Sequence, residues 1–404
     1  MSRMSRDEIV ALEERYQLKT YSKLPIVVER GEGSWIWDAD GTRYLDYYGG
    51  HCVTILGHSP PRVIEAIRDQ AGRMLFYSNL VYSEIRASAA ERLARMAPEG
   101  LDTVFFCNSG TEANETALKL ARKMTGRRVI VAFEGDFHGR TLGSLATTWG
   151  ENYRAPYANI LPDTIFVPID DQTALRDAFA RDEPPAAALV EPIQSIAGMS
   201  AASPDTLRRL RELCDLAGAR LIFDEVQTGV GRTGRFSVSE HLDLLPDMIT
   251  LAKSLGAGVP VGAVLVNQAV AESVAFGDQG TTFGGGMLAM AAVLATLETI
   301  EADGLMARAP AIEERIRSGV RERGIDVLGM GCLLGLVVPV SAKAVLAALR
   351  ARRVIAGGAG ESAVIRLMPP LTTTDDEIDF FLDALNASLS EVVDNVLQDK
   401  VEVE

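Results

Sequence analysis

Cysteine and histidine are scarce in this chain, and neither forms a metal-binding pattern. Only four residues of each type occur among 404, without a CxxC or HExxH motif of the kind that holds zinc. We therefore expect no metal site. The cysteines also lack the spacing of a disulfide framework, which indicates a reduced, cytoplasmic protein.

Long apolar runs and positive charge are missing as well. No run reaches the roughly 20 residues of a membrane span, and residues 1–15 lack the apolar core of a signal peptide. The net charge of −15 argues against nucleic acid or an anionic membrane surface as the main partner. An anionic small substrate is still compatible with this charge, because local arginines can outweigh the overall field.

Strand and helix patterns alternate through the middle of the chain. Several of the apolar runs are continuous, as expected when helices cover both faces of a parallel sheet. We therefore predict an α/β fold whose large domain holds a mostly parallel, seven-stranded sheet. The predicted strands are Thr103–Cys107, Val129–Phe133, Thr164–Val167, Ala187–Val190, Leu221–Phe223, Met248–Leu251 and Gly262–Val266.

The two ends of the chain have different patterns. A charged helix over Asp7–Gln17 precedes alternating strands, with Asp40-Gly41 as a hairpin turn. The C-terminal part predicts a compact α+β unit. We predict three parts: 1–50, a segment that joins the small domain; 51–309, the large, ligand-binding domain; and 310–404, the small domain.

Lys253 follows the apolar run Met248–Ala252 and precedes the glycine-rich turn 256–258. Such a lysine lies at the carboxyl end of a strand, where open α/β sheets place their ligand crevices. Burial without a partner lowers the pKa of a lysine and makes it a nucleophile or Schiff-base former. Taken alone, a lysine that merely extends to solvent is the more ordinary interpretation. The polar groups at the ends of other strands favour the interpretation of Lys253 as a reactive lysine.

The segment after strand Thr103–Cys107 opens a helix. Free backbone N–H groups and the helix dipole make this start an anion site, and Gly110 lets the backbone approach a ligand closely. Ser109 and Thr111 add hydroxyl donors. The alternative is an ordinary helix N-cap.

The segment after strand Val129–Phe133 carries Phe137, His138 and Arg140. The aromatic ring could cover a planar cofactor, and the arginine could hold a carboxylate through two hydrogen bonds. A surface loop with a solvated arginine is the alternative. We interpret His138 as a structural or cofactor-contacting residue rather than a catalytic base.

Asp224 ends a buried strand, where an unpaired carboxylate is costly. A protonated pyridine nitrogen as its partner would explain this position and would keep the ring an electron sink. A metal-binding or helix-capping acid is the alternative, and the lack of neighbouring histidines weighs against metal. The glycines of 229–234 match GxGxxG, but no helix follows, so we predict a flexible turn rather than a dinucleotide site.

Three further residues complete the set of candidates. Glu191 follows the apolar run 188–190, Arg366 lies between Ile365 and Leu367, and Thr282 lies in the stretch TTFGG. An acid at a strand end and an arginine from the small domain could form a pair that opens to admit a substrate carboxylate. The alternative is a plain interdomain salt bridge.

Seven stretches in this order resemble one family over nearly the whole chain. They are FCNSGTEANETALKLARK, FHGRT, VEPIQ, LIFDEVQTGVGRTG, PDMITLAKSLGAGVPVGA, TTFGG and RLMPPLT. Together they are similar to the class III pyridoxal-phosphate aminotransferases of fold type I, nearest to the acetylornithine and ornithine aminotransferases. The resemblance implies pyridoxal 5'-phosphate as cofactor and a homodimer with shared active sites.

The resemblance also implies roles for single residues. Lys253 would bind the cofactor covalently and, once released, carry a proton between the substrate and the cofactor. Asp224 would keep the pyridine nitrogen protonated. Gln227 would contact the ring hydroxyl, and Phe137 would stack on the ring with His138 beside it. The phosphate would be held by Ser109, Gly110 and Thr111, and by Thr282 from the neighbouring subunit.

Arg140 and Arg366 resemble the family's carboxylate-binding arginines, with Glu191 as the gate for Arg366. The chain departs from the commonest form of the family at Tyr47–Val53, Ser195–Met199 and Gly286-Met287. These departures leave the chemistry intact and concern the distal end of the substrate.

We expect transfer of the terminal amino group of an N-acylated ornithine, or a related ω-amino acid, to 2-oxoglutarate. The alternatives are another ω-amine (4-aminobutyrate, N-acyl-lysine or a diamine), an aminomutase or decarboxylase, and a non-enzymatic binding protein on the same fold.

Overall fold

The computed structural model describes residues 4–359 and 363–401. Its large sheet has seven strands, and the predicted α/β fold with a mostly parallel sheet is confirmed. Only Gly262–Val266 runs antiparallel to its neighbours in this sheet. The spatial order is Thr103–Cys107, Gly262–Val266, Met248–Leu251, Arg220–Asp224, Ala187–Val190, Ile130–Phe133 and Thr164–Val167.

Helices cover both faces of this sheet, so its central strands are buried at almost every position. Ala187–Val190 and Met248–Leu251 are buried throughout. Some of these helices start at side-chain caps, such as Asp171 and Ser203. The helices of residues 49–302 are Gly49–Cys52, Pro61–Arg73, Glu84–Met96, Gly110–Thr125, Leu142–Thr147, Glu151–Arg154, Gln172–Phe179, Pro204–Ala217, Ser239–Leu242, Gln268–Glu272 and Met287–Ala302.

The N-terminal strands join the C-terminal part of the chain in one sheet. Val28–Glu32, Trp35–Asp38 and Arg43–Asp46 form an antiparallel meander. Val354–Ile355 then adds in parallel to Arg43–Asp46. The helix Arg6–Tyr16 precedes the meander and has no buried residue.

A second small sheet has the order Asp326–Met330, Leu333–Val337, Val364–Leu367 and Gly357–Gly358. Three helices accompany it: Ala309–Arg321, Ala342–Ala351 and Asp375–Val401. The sequence analysis missed Asp326–Met330, because this edge strand is only partly buried and lacks an apolar alternation. The division of the chain at residues 50 and 309 stays a prediction.

The short remaining elements lie around the edge of the large sheet. They are the strands Ile193–Gln194 and Ser200–Ala201 and the 3-10 helices Ala155–Tyr157, Lys253–Gly256 and Leu305–Arg308. The cysteines are all free and buried. Within residues 4–359 and 363–401, no helix has both the length and the apolar character needed to cross a bilayer.

Candidate active site

The candidate site lies at the edge of the large sheet where its parallel strands end. Asp224 is paired in register with Thr250, and Lys253 follows three residues later. Glu191 follows Val190, whose register partner is Phe223. Neighbouring strands therefore bring the predicted lysine and both carboxylates to one edge.

Lys253 has an unusual backbone conformation. Its φ of 41° lies in the left-handed region, which costs a non-glycine residue about 1–3 kcal/mol and is found mostly at functional sites. The adjacent Ser254 donates from Oγ to the carbonyl of Cys52 at 3.2 Å, which anchors the strained turn. Burial lowers the pKa of Lys253, and the nearby carboxylates of Glu191 and Asp224 oppose this only in part. The lowered pKa favours the neutral, nucleophilic amine.

The Asp224 carboxylate is buried and held by three donors. Oδ2 accepts from Asn114 Nδ2 and from His138 Nδ1, both at 2.7 Å, and Oδ1 accepts from the Val226 N–H at 3.0 Å. Asn114 is itself oriented by the hydroxyl of Thr250, which donates to Asn114 Oδ1 at 2.7 Å. The sequence analysis gave Asn114 no role; its only signal was an amide on the buried face of a helix.

His138 lies between two carboxylates. Its Nδ1 is bonded to Asp224, and its Nε2 lies 3.3 Å from Asp136 Oδ2. Burial alone lowers the pKa of His138, but the two carboxylates outweigh it and raise the pKa to about 10. The imidazole is therefore positively charged at neutral pH, and it contacts the acid predicted to face a pyridine ring rather than a substrate.

The start of helix Gly110–Thr125 is the segment predicted to hold an anion. Ser109 is an N-cap, since its Oγ accepts from the Glu112 N–H at 3.3 Å. Within the described part of the chain, the N–H groups of Gly110 and Thr111 donate to no protein acceptor. They are therefore available to an anion, as expected for a helix start that holds one. The hydroxyl of Thr111 lies 2.7 Å from that of Thr141.

Gly139 shapes the same anion site from the neighbouring loop. Its φ is 135°, and a Cβ there would lie 2.3 Å from Thr111 Oγ1. The two segments can therefore approach this closely only because residue 139 has no side chain.

Phe137 and Arg140 lie on the loop after strand Ile130–Phe133. The half-buried Phe137 ring has an edge contact with Tyr153 at 5.8 Å between centroids. The Arg140 guanidinium is exposed and lies 5.1 Å from the Tyr153 centroid. It is thus accessible to a ligand that enters the site.

Gln227 and Thr282 differ in burial. Gln227 is buried, and its carbonyl accepts a weak hydrogen bond from Cys52 Sγ at 3.5 Å. Thr282 is exposed, whereas the preceding Thr281 accepts from Asn108 Nδ2 at 3.1 Å. In a single chain, then, Thr281 rather than Thr282 touches the segment that leads into the anion site.

Glu191 and Arg366 do not form a salt bridge in this conformation. Glu191 Oε1 accepts from the Phe137 N–H at 2.6 Å. Burial, and then the carboxylates of Asp136 and Asp224, raise the pKa of Glu191 to about 8. At neutral pH it is mostly protonated and has no charge to offer an arginine.

Arg366 is held by other partners. Its Nε donates to the Gly358 carbonyl at 2.7 Å, and its NH1 lies 3.3 Å from Ser195 Oγ. Ser195 is one of the positions where the sequence departs from the commonest family pattern. A hydroxyl thus occupies the place where the gating acid was expected.

Tyr48 and His51 form a pair that the sequence analysis did not single out. The Tyr48 hydroxyl lies 2.5 Å from His51 Nδ1, and the Tyr48 ring lies 5.7 Å from the Arg366 guanidinium. The four residues from Gly49 to Cys52 all have φ between 56° and 68°. This left-handed turn, rather than a regular helix, aims the pair toward Arg366.

The same pair lines a cavity of about 550 Å³ between the N-terminal segment and the small sheet. Two cations, Lys343 and Arg350, also line it, and none of its described lining residues is acidic. In a chain of net charge −15 this wall favours an anionic ligand.

The turn of residues 229–234 is buried rather than flexible. Arg232 is fully buried and donates from NH1 to the Pro369 carbonyl at 2.6 Å. Its NH2 lies 3.4 Å from Ser254 Oγ, beside Lys253. The predicted turn exists, but its buried arginine links the segment of Pro369 to Ser254 beside Lys253, so the expectation of flexibility was wrong.

These residues fit pyridoxal phosphate. The buried Asp224 carboxylate suits a protonated ring nitrogen, the start of helix Gly110–Thr125 suits the phosphate, and Lys253 supplies an amine for the aldehyde. The three groups follow or end strands at the same edge of the large sheet. That combination of donors suits neither a metal nor a dinucleotide.

Comparison with known proteins agrees with this geometry. The family model "Aminotransferase class-III" matches residues 16–389. An acetylornithine aminotransferase of Methanopyrus kandleri is 44% identical over 93% of this chain and 98% of its own length. One of Mycolicibacterium smegmatis is 42% identical over 93% of this chain and 96% of its own length.

Solved structures give the same result. An ornithine aminotransferase of Toxoplasma gondii, with partial occupancy of PLP at its active site, superposes with a TM-score of 0.91 at 30% identity, covering 97% of this chain and 95% of its own. An acetylornithine aminotransferase of Elizabethkingia anophelis has a TM-score of 0.85 at 31% identity and covers 96% of this chain and 99% of its own.

Replacing Gly139 by alanine tests the anion site. The added Cβ clashes with Thr111 Oγ1 and displaces the helix start. We expect the dissociation constant for pyridoxal phosphate, measured by equilibrium dialysis, to rise about tenfold or more, a loss of about 1.4 kcal/mol.

Gly126→Ala is the matched control. Gly126 caps the other end of the same helix at a φ of 69°, with nothing within 4 Å of a built Cβ. It introduces backbone strain without the clash. If both variants weakened cofactor binding equally, the close approach of Gly139 to Thr111 would have no part in the anion site.

Proposed function

We propose that this chain, which belongs to the class-III aminotransferase family, moves the terminal amino group of an N-acylated ornithine, or a related ω-amino acid, to 2-oxoglutarate. The products would be a semialdehyde and glutamate. The observation that carries the proposal is the position of Lys253 at the same sheet edge as the buried Asp224 and the helix start of Gly110. The relatives named acetylornithine aminotransferase support the donor.

The cofactor is pyridoxal 5'-phosphate. When bound, it supplies an electron sink for the carbon that carries the amino group. Asp224 would hold the proton on the pyridine nitrogen, because three donors keep its carboxylate in place at the sheet edge. Lys253 Nζ would carry the proton between the donor carbon and the cofactor. The lowered pKa of Lys253 suits this task.

The remaining residues position the two substrates. Gln227 would contact the ring hydroxyl and Phe137 would cover the ring, while Arg140 and Arg366 would bind carboxylates. Ser195 orients Arg366 in the conformation at hand, and Glu191 would pair with Arg366 only after losing a proton. The cavity beside Tyr48 and His51 would hold the distal end of the donor.

We also propose a homodimer with shared active sites. A large apolar surface is exposed beside the loop of Thr282, and it comprises Leu75, Phe76, Tyr77, Leu80, Val81, Tyr82 and Phe283. This surface is well ordered within the chain: Asn79 Nδ2 donates to the Gly284 carbonyl at 2.9 Å, and Arg86 Nε to that of Gly285 at 2.8 Å. An exposed apolar patch with a fixed shape is typical of a protein interface. Thr282 would reach the phosphate of the second subunit.

Another ω-amine is the second candidate donor. Ser195 at the Arg366 guanidinium and the Tyr48–His51 pair change the wall that faces the distal end of the substrate. Either change could suit 4-aminobutyrate, N-acyl-lysine or a diamine instead. A donor panel with 2-oxoglutarate separates these candidates.

Absorption spectroscopy tests the cofactor, the lysine and the donor together. The protein loaded with pyridoxal phosphate should show a visible band that bleaches with N-acetylornithine and returns with 2-oxoglutarate. Lys253→Ala should lose turnover but remain folded by circular dichroism. A colour that ignores N-acetylornithine but responds to another ω-amine would replace the donor, and a Lys253→Ala variant with near-normal turnover would overturn the mechanism.

Arg140→Ala tests carboxylate recognition. Arg140 is exposed in the single chain, and a bound carboxylate would desolvate the pair. Truncating one partner of such a pair costs about 2–5 kcal/mol, so KM for carboxylate substrates should rise by tenfold or more. Arg128→Ala is the control, because Arg128 is exposed and paired with Asp163 on the opposite edge of the sheet. An unchanged KM for Arg140→Ala would show that this arginine does not bind substrate.

Light scattering with Tyr82→Asp tests the dimer. Tyr82 is fully exposed in the single chain, so a charge there costs nothing unless a second chain covers it. We expect the wild type to have the mass of two chains, and the variant to dissociate and bind cofactor more weakly. Leu216→Asp, on an exposed helix face, is the control. A monomeric wild type with full activity would exclude shared sites.

A further inference from the structure

Asp136 is a buried carboxylate that the reaction described above does not use. Its Oδ1 accepts from Gln194 Nε2 at 2.9 Å, and its Oδ2 accepts from the Glu191 N–H at 3.3 Å. The same Oδ2 lies 3.3 Å from His138 Nε2. Its backbone is fixed as well, because the Trp149 N–H donates to the Asp136 carbonyl at 2.8 Å. The loop thus presents this carboxylate to the imidazole in one position.

Two hydrogen bonds to Asp136 favour its charged form, because both Gln194 Nε2 and the Glu191 N–H donate to it. His138 Nε2 lies within ion-pair distance of Oδ2 but makes no hydrogen bond in this conformation. Burial raises the pKa of Asp136 above its ordinary value, and the positive imidazole and the hydrogen bonds from Gln194 and Glu191 offset this only in part. Donors that meet a buried carboxylate favour the ion.

The charged Asp136 in turn dictates the state of His138. A lone pair on Nε2 would face the carboxylate oxygen at 3.3 Å and be repelled, so Nε2 carries a proton. Nδ1 also carries one, because it lies 2.7 Å from Asp224 Oδ2. His138 is therefore held as an imidazolium between two carboxylates.

Other charged groups face the imidazole as well. Glu191, at the neighbouring strand end, interacts electrostatically with His138 and is mostly protonated at neutral pH, and Lys253 interacts with Asp224. Asn114 and Thr148 contribute neutral hydrogen bonds, to Asp224 and to the His138 backbone N–H. The array of Asp136, His138 and Asp224 thus carries a net charge of −1 without help from its neighbours.

We propose that Asp136 is a positioning residue that keeps both nitrogens of His138 protonated, so that the imidazole always donates to Asp224 and leaves that carboxylate charged for the pyridine nitrogen. Without Asp136, the single positive charge of the imidazolium would be balanced by Asp224 alone. His138 would then release its Nε2 proton near neutral pH. The role of Asp224 in this inference rests on the proposed function, whereas the protonation of His138 does not.

Histidine NMR of the cofactor-loaded protein tests this directly. The chain has only four histidines, so ¹⁵N-histidine labelling gives few signals, and His138→Gln assigns the relevant one. In the wild type, both nitrogens of His138 should stay protonated from about pH 6 to 9. Asp136→Asn preserves the shape of the side chain, and in this variant His138 should lose a proton within that range. The visible absorption of the cofactor should then change at the same pH, a transition that the wild type lacks.

Glu225→Gln is the matched control. Glu225 is equally buried at the end of the same strand as Asp224, but its oxygens accept from Ser237, Thr228 and Val238 rather than from His138. Burial raises the pKa of Glu225 to about 7, so above that pH the substitution removes a buried charge. This loss should leave the His138 signal and the pH profile unchanged. An equal effect in both variants would mean that loss of any buried charge suffices, and would overturn the inference.

The wild type alone is decisive if Asp136→Asn fails to fold. A His138 that is neutral at pH 7 in the wild type contradicts the inference, as does an Asp136→Asn variant whose His138 stays doubly protonated. These spectra do not depend on the amino donor. If N-acetylornithine fails in the donor assay, the histidine spectra therefore still report on His138. The proposed amino donor and the proposed role of Asp136 can thus fail separately.

Discussion

The fixed negative charge of Asp224 is the constraint on which the rest of the site depends. A carboxylate at a buried strand end is costly unless it is fully hydrogen-bonded. Here the amide of Asn114, the imidazolium of His138 and a backbone N–H meet that demand. These groups come from a helix, a loop and the turn after the strand, so the carboxylate ties three separate segments to one edge of the sheet. The loop with Phe137 and Arg140 takes its position from the same interaction.

The parallel arrangement explains how distant segments meet there. In a parallel sheet all carboxyl ends share an edge, so each strand delivers the residue that follows it to the same crevice. Ser109, Glu191, Asp224 and Lys253 follow four different strands. The apolar interior of those strands determines the order of the sheet, and the polar residue after each one determines the chemistry. In each short segment, therefore, the buried strand residues stabilise the sheet, and the polar residue at the carboxyl end takes part in the chemistry.

Much of this was predictable from sequence, for physical reasons. Continuous apolar runs such as Ala187–Val190 identify buried strands without ambiguity, and Lys253 and Asp224 stand out because charge at a buried strand end needs an explanation. Pairings across the fold were not predictable. Nothing in the local pattern indicates that Arg366 meets Ser195 instead of Glu191, or that Asp136 faces His138, because these contacts depend on how loops from different strands approach one another. The partly buried strand Asp326–Met330 gave too weak a pattern for the same reason: its partners, not its own residues, make it a strand.

The parallel pairing of Val354–Ile355 with Arg43–Asp46 has a consequence for synthesis. The N-terminal meander emerges from the ribosome first, yet the strand that completes its sheet is among the last segments made. Until then Arg43–Asp46 has an open edge able to pair with other chains. Contacts so far apart in sequence also form slowly. The chain must therefore carry an unfinished sheet while its large domain folds, and this interval is the stage at which a chaperone would be needed most.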